Sequence, residues 1–503
     1  LEVPEVANFV REMVAEIKKE YPHHDFYLSG RVMMNNAFNE ASMKDMSTLT
    51  PLMYLIILVM TLLFLGSFFA TLSTFVILFF SVLGGMGIGF WLGIPLTPPS
   101  SIAPIVILTL AIADSVHILK SVKGYMQEGM EKNKAIIEGV RVNFQPVFLT
   151  SLTTAIGFLS LNLSEMPPLH DLGNITAIGV ALALLYSITL LPALVSILPF
   201  RVKIKQGEAA KDGHRIAKKF SEWVIRRRVM IVASMLMGSF FFFFQISQLE
   251  LDDRFVNYFS KKIEFRQHTE WFNQNISGIY QIHYDLQSKD SQGITDPEFL
   301  QNVDNFVQMF RDVPEVKHVN SITDTFKRLN KNMHGDNPAY YKLPGKRDLA
   351  AQYLLLYEMS LPYGLDLNDQ INVDKSSTRV IVTIADISTS TFIRLGDMGT
   401  EWLKTNTPEY MHTEGTSPTL MFSHITEDNL RAMFWGTLLA FFLITLVMIV
   451  ALKSVKYGLI SLIPNIIPAG IAVGIWSLTM GKVGFAISVV GSVTLGIIVD
   501  DTV

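Results

Sequence analysis

Three aspartates lie inside apolar stretches of this sequence that are long enough to cross a membrane. Asp114 follows the run at residues 108–113, and a matching run at residues 495–499 comes directly before Asp500 and Asp501. A carboxylate inside a bilayer costs at least about 2.5–3.5 kcal/mol, so its recurrence at matched positions needs an explanation. The two motifs predict a proton relay in a membrane transporter. The structural alternative is polar bonding between helices, or a position near the end of a span.

The residues that follow these aspartates are candidates for the same proton path. Ser115 and Thr502 place a hydroxyl directly after Asp114 and Asp501, and His117 lies one turn beyond Asp114. An imidazole titrates near neutral pH, which suits a proton path. A polar residue at the end of the span would explain His117 equally well. We include Ser115, Thr502 and His117 in the predicted relay.

A further set of polar side chains lies on the next predicted span. Three threonines recur there at helical spacing, namely Thr150, Thr153 and Thr154. Hydroxyls on one face of a helix can donate hydrogen bonds to carboxylates on a neighbour. Hydroxyls inside helices also commonly bond back to carbonyls of their own helix. We predict supporting hydroxyls at these positions, with bonding back to the helix as the alternative.

Glycines recur at short intervals on two of the predicted spans. They are Gly85, Gly89, Gly93, Gly470 and Gly474. Small residues allow membrane helices to approach each other closely, because no side chain separates the backbones. We therefore predict that these glycines pack helices together and take no part in chemistry.

Composition places the chain among membrane proteins and excludes several classes of function. Half of its 503 residues are hydrophobic and only 17% are charged, which is too apolar for a soluble protein of this length. The net charge of −4 gives no reason to expect a nucleic-acid partner. The sequence has no cysteine, and it contains no phosphate-binding loop, nucleophile elbow or zinc pattern. We expect no enzymatic activity, no cofactor and no metal site.

Nine apolar stretches have about the 20 residues that cross a hydrocarbon core of roughly 30 Å. They occupy residues 51–72, 74–96, 100–119, 146–163, 172–199, 229–247, 432–452, 457–478 and 484–503. Lysine and arginine are concentrated between the third and fourth stretches and between the fifth and sixth. Since cytoplasmic loops carry the positive excess, we expect both basic segments inside and residues 1–50 and 248–428 outside.

The two outer segments contain patterns of short helices and strands. In the first segment, helices are predicted at residues 6–17 and 31–47, with a strand at 25–28. In the second, strands are predicted at 279–286, 316–319, 378–384 and 410–413, with helices at 296–310 and 391–405. Two β-α-β units of this kind indicate an α+β domain.

The chain repeats itself at an offset of about 385–387 residues. Residues 6–116 match residues 391–503 in the order of helix, strand, serine-containing loop, glycine stripe and acidic motif. An ordered set of matches over this length is not expected by chance. Both copies run in the same direction, which predicts two halves related by an axis along the membrane normal. The acids of the two halves would face each other across that axis.

These motifs give the chain a resemblance to the resistance-nodulation-division superfamily, and within it to hydrophobe exporters related to the mycobacterial large membrane proteins (MMPL). The similar features are the acid Asp114, residues 496–501, the run at residues 150–158, and Pro464-Asn465. The resemblance implies a membrane all-α helical bundle with two pseudo-symmetric halves and α+β periplasmic domains of the porter type. It also implies that the acids of both motifs carry protons.

By this pattern the chain is a fragment whose parts follow in a known order. The expected parts are the end of a first periplasmic domain (1–50), spans two to six (51–199), a cytoplasmic basic linker (200–228), span seven (229–247), a second periplasmic domain (248–428) and spans eight to ten (429–503). The first span, most of the first periplasmic domain and the last two spans would be missing. The family often has a glycine four residues before the first acid, where this chain has Leu110. That departure leaves the number of protons per cycle open.

The function implied by the resemblance is export of hydrophobic or amphiphilic, lipid-like molecules across a bacterial inner membrane, driven by the proton motive force. The implied partners are membrane lipids, the lipid-like substrate and protons, with a homo-oligomer (dimer or trimer) or a periplasmic accessory protein left open. The alternative is a non-transporting sterol or lipid sensor, or a scaffold, of the same fold. Such a protein would not need matched acids in both halves. A protein-translocation accessory of the same superfamily would have about half this number of spans per chain, or a different soluble domain.

Overall fold

The computed structural model of the chain divides into two compact units. It describes residues 2–200, 209–362, 364, 366–484, 487, 494 and 498. The sheet unit comprises residues 1–39 and 251–426, and the helical unit comprises residues 40–250 and 427–503. The N-terminal segment therefore belongs with a part of the chain that follows more than 200 residues later.

Helices occur along the whole described chain. The first are α1 (Glu2–Glu20), α2 (Arg31–Leu65), α3 (Phe68–Trp91), α4 (Ala103–Gln127), α5 (Lys132–Leu159), α6 (Pro167–Ile188), α7 (Leu190–Ile197), α8 (Ala209–Arg226) and α9 (Arg228–Ile246). The others are α10 (Glu264–Asn275), α11 (Pro297–Arg311), α12 (Ile322–Met333), α13 (Arg347–Ser360), α14 (Thr389–Asn406), α15 (Pro418–Leu452), α16 (Val455–Ile460) and α17 (Leu462–Met480). Pro464 explains why α16 ends at Ile460, because a proline ring clashes with the carbonyl four residues earlier.

Among the described residues, eight helical stretches are long and apolar enough to cross a membrane. They are Arg31–Leu65, Phe68–Trp91, Ser100–Gln127, Lys132–Leu163, Pro167–Ile197, Arg228–Ile246, Pro418–Leu452 and Val455–Met480. Each coincides with one of the first eight spans predicted from the sequence. The ninth predicted span, residues 484–503, lies outside the described residues apart from isolated positions.

Helix α4 is the element that matters most for the site, because one of its faces is buried along most of its length. The buried positions recur at helical spacing: Ala103, Ile107, Leu108, Ala111, Asp114, Ser115, Ile118, Leu119 and Val122. Helices α3, α5 and α6 pack against α4. A stripe with the helical period turns one face of a helix toward its neighbours. Asp114 lies in the middle of that stripe and therefore faces protein.

The sheet unit is built on an antiparallel sheet. Its described strands are β1 (Tyr280–Gln287), β2 (Val316–Asn320) and β3 (Ser377–Ile384), arranged in the order β1-β3-β2. Alternate side chains of β1 are buried, as expected for a strand with one covered face. Tyr284 of β1 packs on Phe306 and Phe310 of α11, with ring centroids 5.0 and 5.6 Å away. The predicted α+β character is confirmed.

The strand predicted at residues 25–28 is wrong. The backbone N–H of Leu28 donates a hydrogen bond to Nδ1 of His268, at 3.1 Å, where a strand would pair with another backbone. The ring of Tyr27 stacks on Trp271 with centroids 3.8 Å apart. Side chains of α10 therefore take the place of the expected strand partner.

The strand predicted at residues 410–413 is also wrong. Residues Glu409–Met411 form a 3-10 turn. The chain reaches the sheet slightly later, at Thr416, which forms an isolated antiparallel bridge with His283 of β1. The alternation of side-chain types at residues 410–413 is typical of a strand. Because of the turn after Pro408, the chain first pairs with the sheet at Thr416.

The helix bounds reproduce the internal repeat at a constant offset. Helices α2 and α15 are both 35 residues long, and both their first and last residues lie 387 positions apart. Left-handed residues follow each helix, with φ of 61° at Gly66 and 50° at Lys453. The next residues, Ser67 and Ser454, accept a hydrogen bond from a backbone N–H three residues later and cap the following helix. At this offset Asp114 corresponds to Asp501 and Ser115 to Thr502.

Candidate proton-relay site

The site begins with one carboxylate and one hydroxyl on neighbouring membrane helices. Asp114 of α4 is only 6% exposed, and Ser151 of α5 is equally buried. The Oγ of Ser151 donates a hydrogen bond to Oδ2 of Asp114 at 3.2 Å. A buried carboxylate requires such donors, because its charged form loses hydration on burial. A proton arriving at Asp114 would neutralise the charge to which Ser151 donates.

Ser151 was missed in the sequence analysis, although it lies within the hydroxyl-rich run at residues 150–158. Ser151, Thr154 and Phe158 recur at i, i+3 and i+7, and all three are buried. This spacing places them on one face of α5. The rotation of α5 relative to α4 decides which hydroxyl reaches the acid, and the number of hydroxyls in the run does not.

Several of the predicted hydroxyls bond back to their own helix. The Oγ1 of Thr150 donates to the carbonyl of Val147 at 3.1 Å, and the Oγ1 of Thr153 donates to that of Leu149 at 2.9 Å. The Oγ of Ser115 donates to the carbonyl of Ala111 at 3.1 Å. Thr154 is buried on the same face as Ser151. The part of these hydroxyls in a relay stays a prediction.

His117 lies outside the buried contact. It follows Asp114 by three residues on α4, but its side chain is exposed where Asp114 is buried. Asp500, Asp501 and Thr502 lie outside the described residues. Their place opposite Asp114 therefore stays a prediction from the repeat.

Glycines hold α3, α4 and α6 close together two turns away from Asp114. A Cβ at Gly85 of α3 would lie 2.9 Å from Cα of Gly179 in α6 and 3.1 Å from Cδ1 of Ile107 in α4. A Cβ at Gly89 would lie 2.9 Å from Cγ1 of Ile175. The two distances of 2.9 Å are too short for a real Cβ, so both positions require glycine for the observed packing.

Gly93 is a correction to the predicted packing stripe. It lies beyond the end of α3 at a φ of 81°, and a Cβ at this position would meet nothing within 4 Å. Glycine adopts this left-handed conformation without steric cost and commonly ends a helix in this way. Gly93 therefore turns the chain, and the space beside it is open among the described residues.

The glycines of the second half approach a different partner. A Cβ at Gly470 of α17 would lie 2.1 Å from the ring of Phe243 in α9, and a Cβ at Gly474 would lie 2.3 Å from the carbonyl oxygen of Phe242. Gly85 and Gly89 face α6, whereas Gly470 and Gly474 face α9. The glycine pairs match at an offset of 385, while the helix bounds match at 387, so the two stripes are out of phase by two residues.

Further glycines that the sequence analysis overlooked fix the helices around Asp114. A Cβ at Gly179 would lie 2.4 Å from Cδ1 of Ile107, and one at Gly139 of α5 would lie 2.5 Å from Cγ2 of Val122 in α4. Helix α4 thus packs closely against α6 before Asp114, at Ile107, and against α5 after it, at Val122. The four-residue spacing of Gly179 and Ala183 is a small-residue signal that could have identified the first contact.

Comparison with known proteins fits this architecture. The family model described as MMPL family matches residues 2–232. The matched residues, 231 of 503, are slightly less than half of the chain, and over this part the chain is similar to the MMPL family. This similarity agrees with the resemblance carried by the motifs of the sequence. No group of three or more histidine, aspartate or glutamate side chains in the described part of the chain could hold a metal ion.

Curated relatives are similar over parts of their length. The Methanocaldococcus jannaschii membrane protein MJ1562 is 34% identical over 114 residues, which are 23% of this chain and 29% of the relative. The nickel and cobalt resistance protein CnrA of Cupriavidus metallidurans is 22% identical over 197 residues, 38% of this chain and 18% of the relative. The chain therefore spans less than a third of each of these relatives in the matched regions.

The fold is also found in a solved structure. The cryo-EM structure of the hedgehog release protein Disp from the water bear Hypsibius dujardini matches with a TM-score of 0.57 at 14% identity, covering 94% of this chain and 61% of Disp. At this identity the likeness establishes the fold alone. The chain has the architecture of a multi-pass membrane protein, with a bundle of helices and an α+β unit.

Proposed function

We propose that this protein is an exporter of hydrophobic or amphiphilic, lipid-like molecules that is driven by the proton motive force. The observation that carries the proposal is the buried carboxylate of Asp114, which accepts a hydrogen bond from Ser151 of the neighbouring helix. An acid that is buried within a candidate span is costly and marks a proton or ion path more often than a structural contact. The repeat adds Asp501 as its counterpart in the other half.

The proposed coupling uses the change of charge at Asp114. When a proton binds, the carboxylate loses its charge, and the hydrogen bond from Ser151 loses a charged acceptor. Helices α4 and α5 then favour a different packing. One charge that crosses 100 mV supplies about 2.3 kcal/mol, which shifts a two-state equilibrium by roughly fiftyfold. That free energy is enough to drive substrate against a gradient.

The proposed location is a bacterial inner membrane with the sheet unit outside the cytoplasm. The support is the excess of lysine and arginine in the segments that follow α4 and α7. Because the chain has no cysteine, single cysteines can report the sidedness without background. In intact cells, a membrane-impermeant maleimide should label Lys289→Cys in the sheet unit and spare Lys134→Cys in the helical unit. The reverse pattern would contradict the location.

Transport is tested with full-length protein in vesicles and a fluorescent lysophospholipid as the probe. With an imposed pH gradient, wild-type protein should accumulate the probe, and Asp114→Asn should not, because an amide keeps the shape but carries no proton. Thr109→Val, an exposed position on α4, is the matched control and should keep wild-type accumulation.

The same experiment separates the exporter from the non-transporting lipid sensor. A sensor would bind the probe but show no flux that depends on the pH gradient, even in the wild type. If Asp114→Asn accumulates the probe as the wild type does, Asp114 is a structural contact, and the proposed coupling is wrong.

A further inference from the structure

The last part of α8 combines exposed aromatic side chains with a high density of cations. The Phe220 side chain is 65% exposed and the Trp223 side chain 52%, and their rings stack with centroids 6.1 Å apart. Five cations and a single carboxylate, Glu222, occur between Lys218 and Arg228. Neither feature is used by the proton-relay site.

The helical geometry separates the two kinds of side chain. Phe220, Trp223 and Val224 recur at i, i+3 and i+4, which places them on one face of α8. Lys218, Glu222 and Arg226 recur at i, i+4 and i+8, and they lie on the opposite face with Lys219 beside them. An apolar face with a basic opposite face is the pattern of a helix that lies in a membrane interface.

The connection to α9 places this segment at the membrane surface. Helix α9 begins at Arg228 and is one of the candidate spans. Arg227 leaves helical dihedrals, with φ of −103° and ψ of 13°, so α8 and α9 are separate helices. The end of α8 therefore lies close to the membrane surface, where the span formed by α9 enters the bilayer. Tryptophan is enriched at this level, where its ring is apolar and its N–H is polar.

We propose that residues 218–226 lie in the membrane interface and bind anionic lipid headgroups. Phe220, Trp223 and Val224 insert into the boundary between headgroups and acyl chains, while Lys218, Lys219 and Arg226 contact the phosphates. Charge complementarity identifies anionic lipid as the binding partner, because the segment is strongly basic and a leaflet rich in anionic lipid attracts it. This contact is independent of the proton relay and anchors the connection between the two groups of spans.

Site-directed spin labelling tests the proposal in the full chain, which has no native cysteine. Labels at Phe220→Cys and Glu222→Cys are compared in vesicles of phosphatidylcholine with and without phosphatidylglycerol. With anionic lipid present, the label at 220 should be accessible to oxygen and protected from a water-soluble nickel chelate. The label at 222 should stay accessible to the chelate.

Neutralising the cations should remove the dependence on lipid charge. In the Phe220→Cys background, Lys218→Gln/Lys219→Gln/Arg226→Gln should weaken insertion by about fivefold per charge in anionic vesicles. Lys18→Gln/Lys19→Gln, an exposed lysine pair in the sheet unit, is the matched control and should change nothing. Equal chelate access at positions 220 and 222 would overturn the proposal. So would equal insertion with and without anionic lipid, or a label at 220 that is shielded from both reagents and therefore packed against protein.

Discussion

Replacing Gly179 by alanine tests the close approach of helices that fixes α4 around Asp114. A Cβ at Gly179 would lie 2.4, 2.5 and 3.0 Å from three carbons of Ile107, whereas ordinary contacts begin at 3.4 Å. The Ile107 side chain must therefore move by about 1 Å to restore an ordinary contact. Overpacking of this kind costs about 1–3 kcal/mol. We expect Gly179→Ala to lower the free energy of unfolding by that amount.

A double-mutant cycle identifies the cause. Because all three short contacts involve the side chain of Ile107, Ile107→Ala should remove the clash. The cost of the double variant should then fall below the sum of the single costs by roughly 1–3 kcal/mol. Gly85→Ala is the matched contrast. Its Cβ would meet the backbone Cα of Gly179 at 2.9 Å, so shortening Ile107 should rescue it much less.

The assay is reversible unfolding of the purified protein in mixed detergent micelles, followed by circular dichroism. Gly87→Ala is the neutral control, because a Cβ at this exposed position on α3 would meet nothing within 4 Å. The packing argument is refuted if Gly179→Ala is as stable as Gly87→Ala. It is also refuted if Ile107→Ala rescues Gly85→Ala as fully as it rescues Gly179→Ala.

Three further predictions follow from contacts in the two units. Lys123 donates from Nζ to the carbonyl of Leu65 at 2.6 Å and caps the end of α2; Lys123→Met should cost about 1–3 kcal/mol in detergent unfolding, while Lys120→Met at an exposed position should be neutral. Burial, helped by the charge of Arg379, lowers the pKa of His283 in the folded protein. Because the unfolded state then binds more protons, the stability should fall as the pH drops below about 6.5. In thermal unfolding scans, His283→Gln should reduce that loss of stability. Ser151→Ala should reduce the flux driven by the pH gradient by about tenfold, because a hydrogen bond to a charged group contributes roughly 1.5–3 kcal/mol. Ser151→Thr keeps the hydroxyl and should retain most of the flux. Equal flux in both variants would remove Ser151 from the site.

Local sequence patterns predict the parts of this fold that are set by contact with water or with the bilayer. Long apolar stretches identify the spans, because a bilayer excludes charged side chains over a fixed thickness. Alternation identifies β1, whose side chains at Tyr280, Ile282 and Tyr284 all face the core. The acid at Asp114 is conspicuous for the same physical reason, since its surroundings in the sequence are apolar.

Contacts between distant residues could not be predicted in the same way. The spacing of Gly85 and Gly89 indicates a small-residue face, but it does not say that α6 meets this face with Gly179. Ser151 lies only one to three positions from the three threonines of α5, and the rotation of α5 relative to α4 is what brings Ser151 to Asp114. Residues 25–28 fit a strand pattern, yet side chains of α10, more than 200 residues later, bind that segment instead.

Infrared difference spectroscopy across a pH step tests the central claim most directly, since it detects the C=O stretch of a protonated carboxyl group in the reconstituted full-length protein. The account predicts a carboxyl band that appears as the pH falls and loses a component in Asp114→Asn. Asp45→Asn, an exposed acid on α2, is the control and should leave this component unchanged. If the wild type and Asp114→Asn give the same carboxyl band, Asp114 does not take up a proton, and the proton-relay account is contradicted.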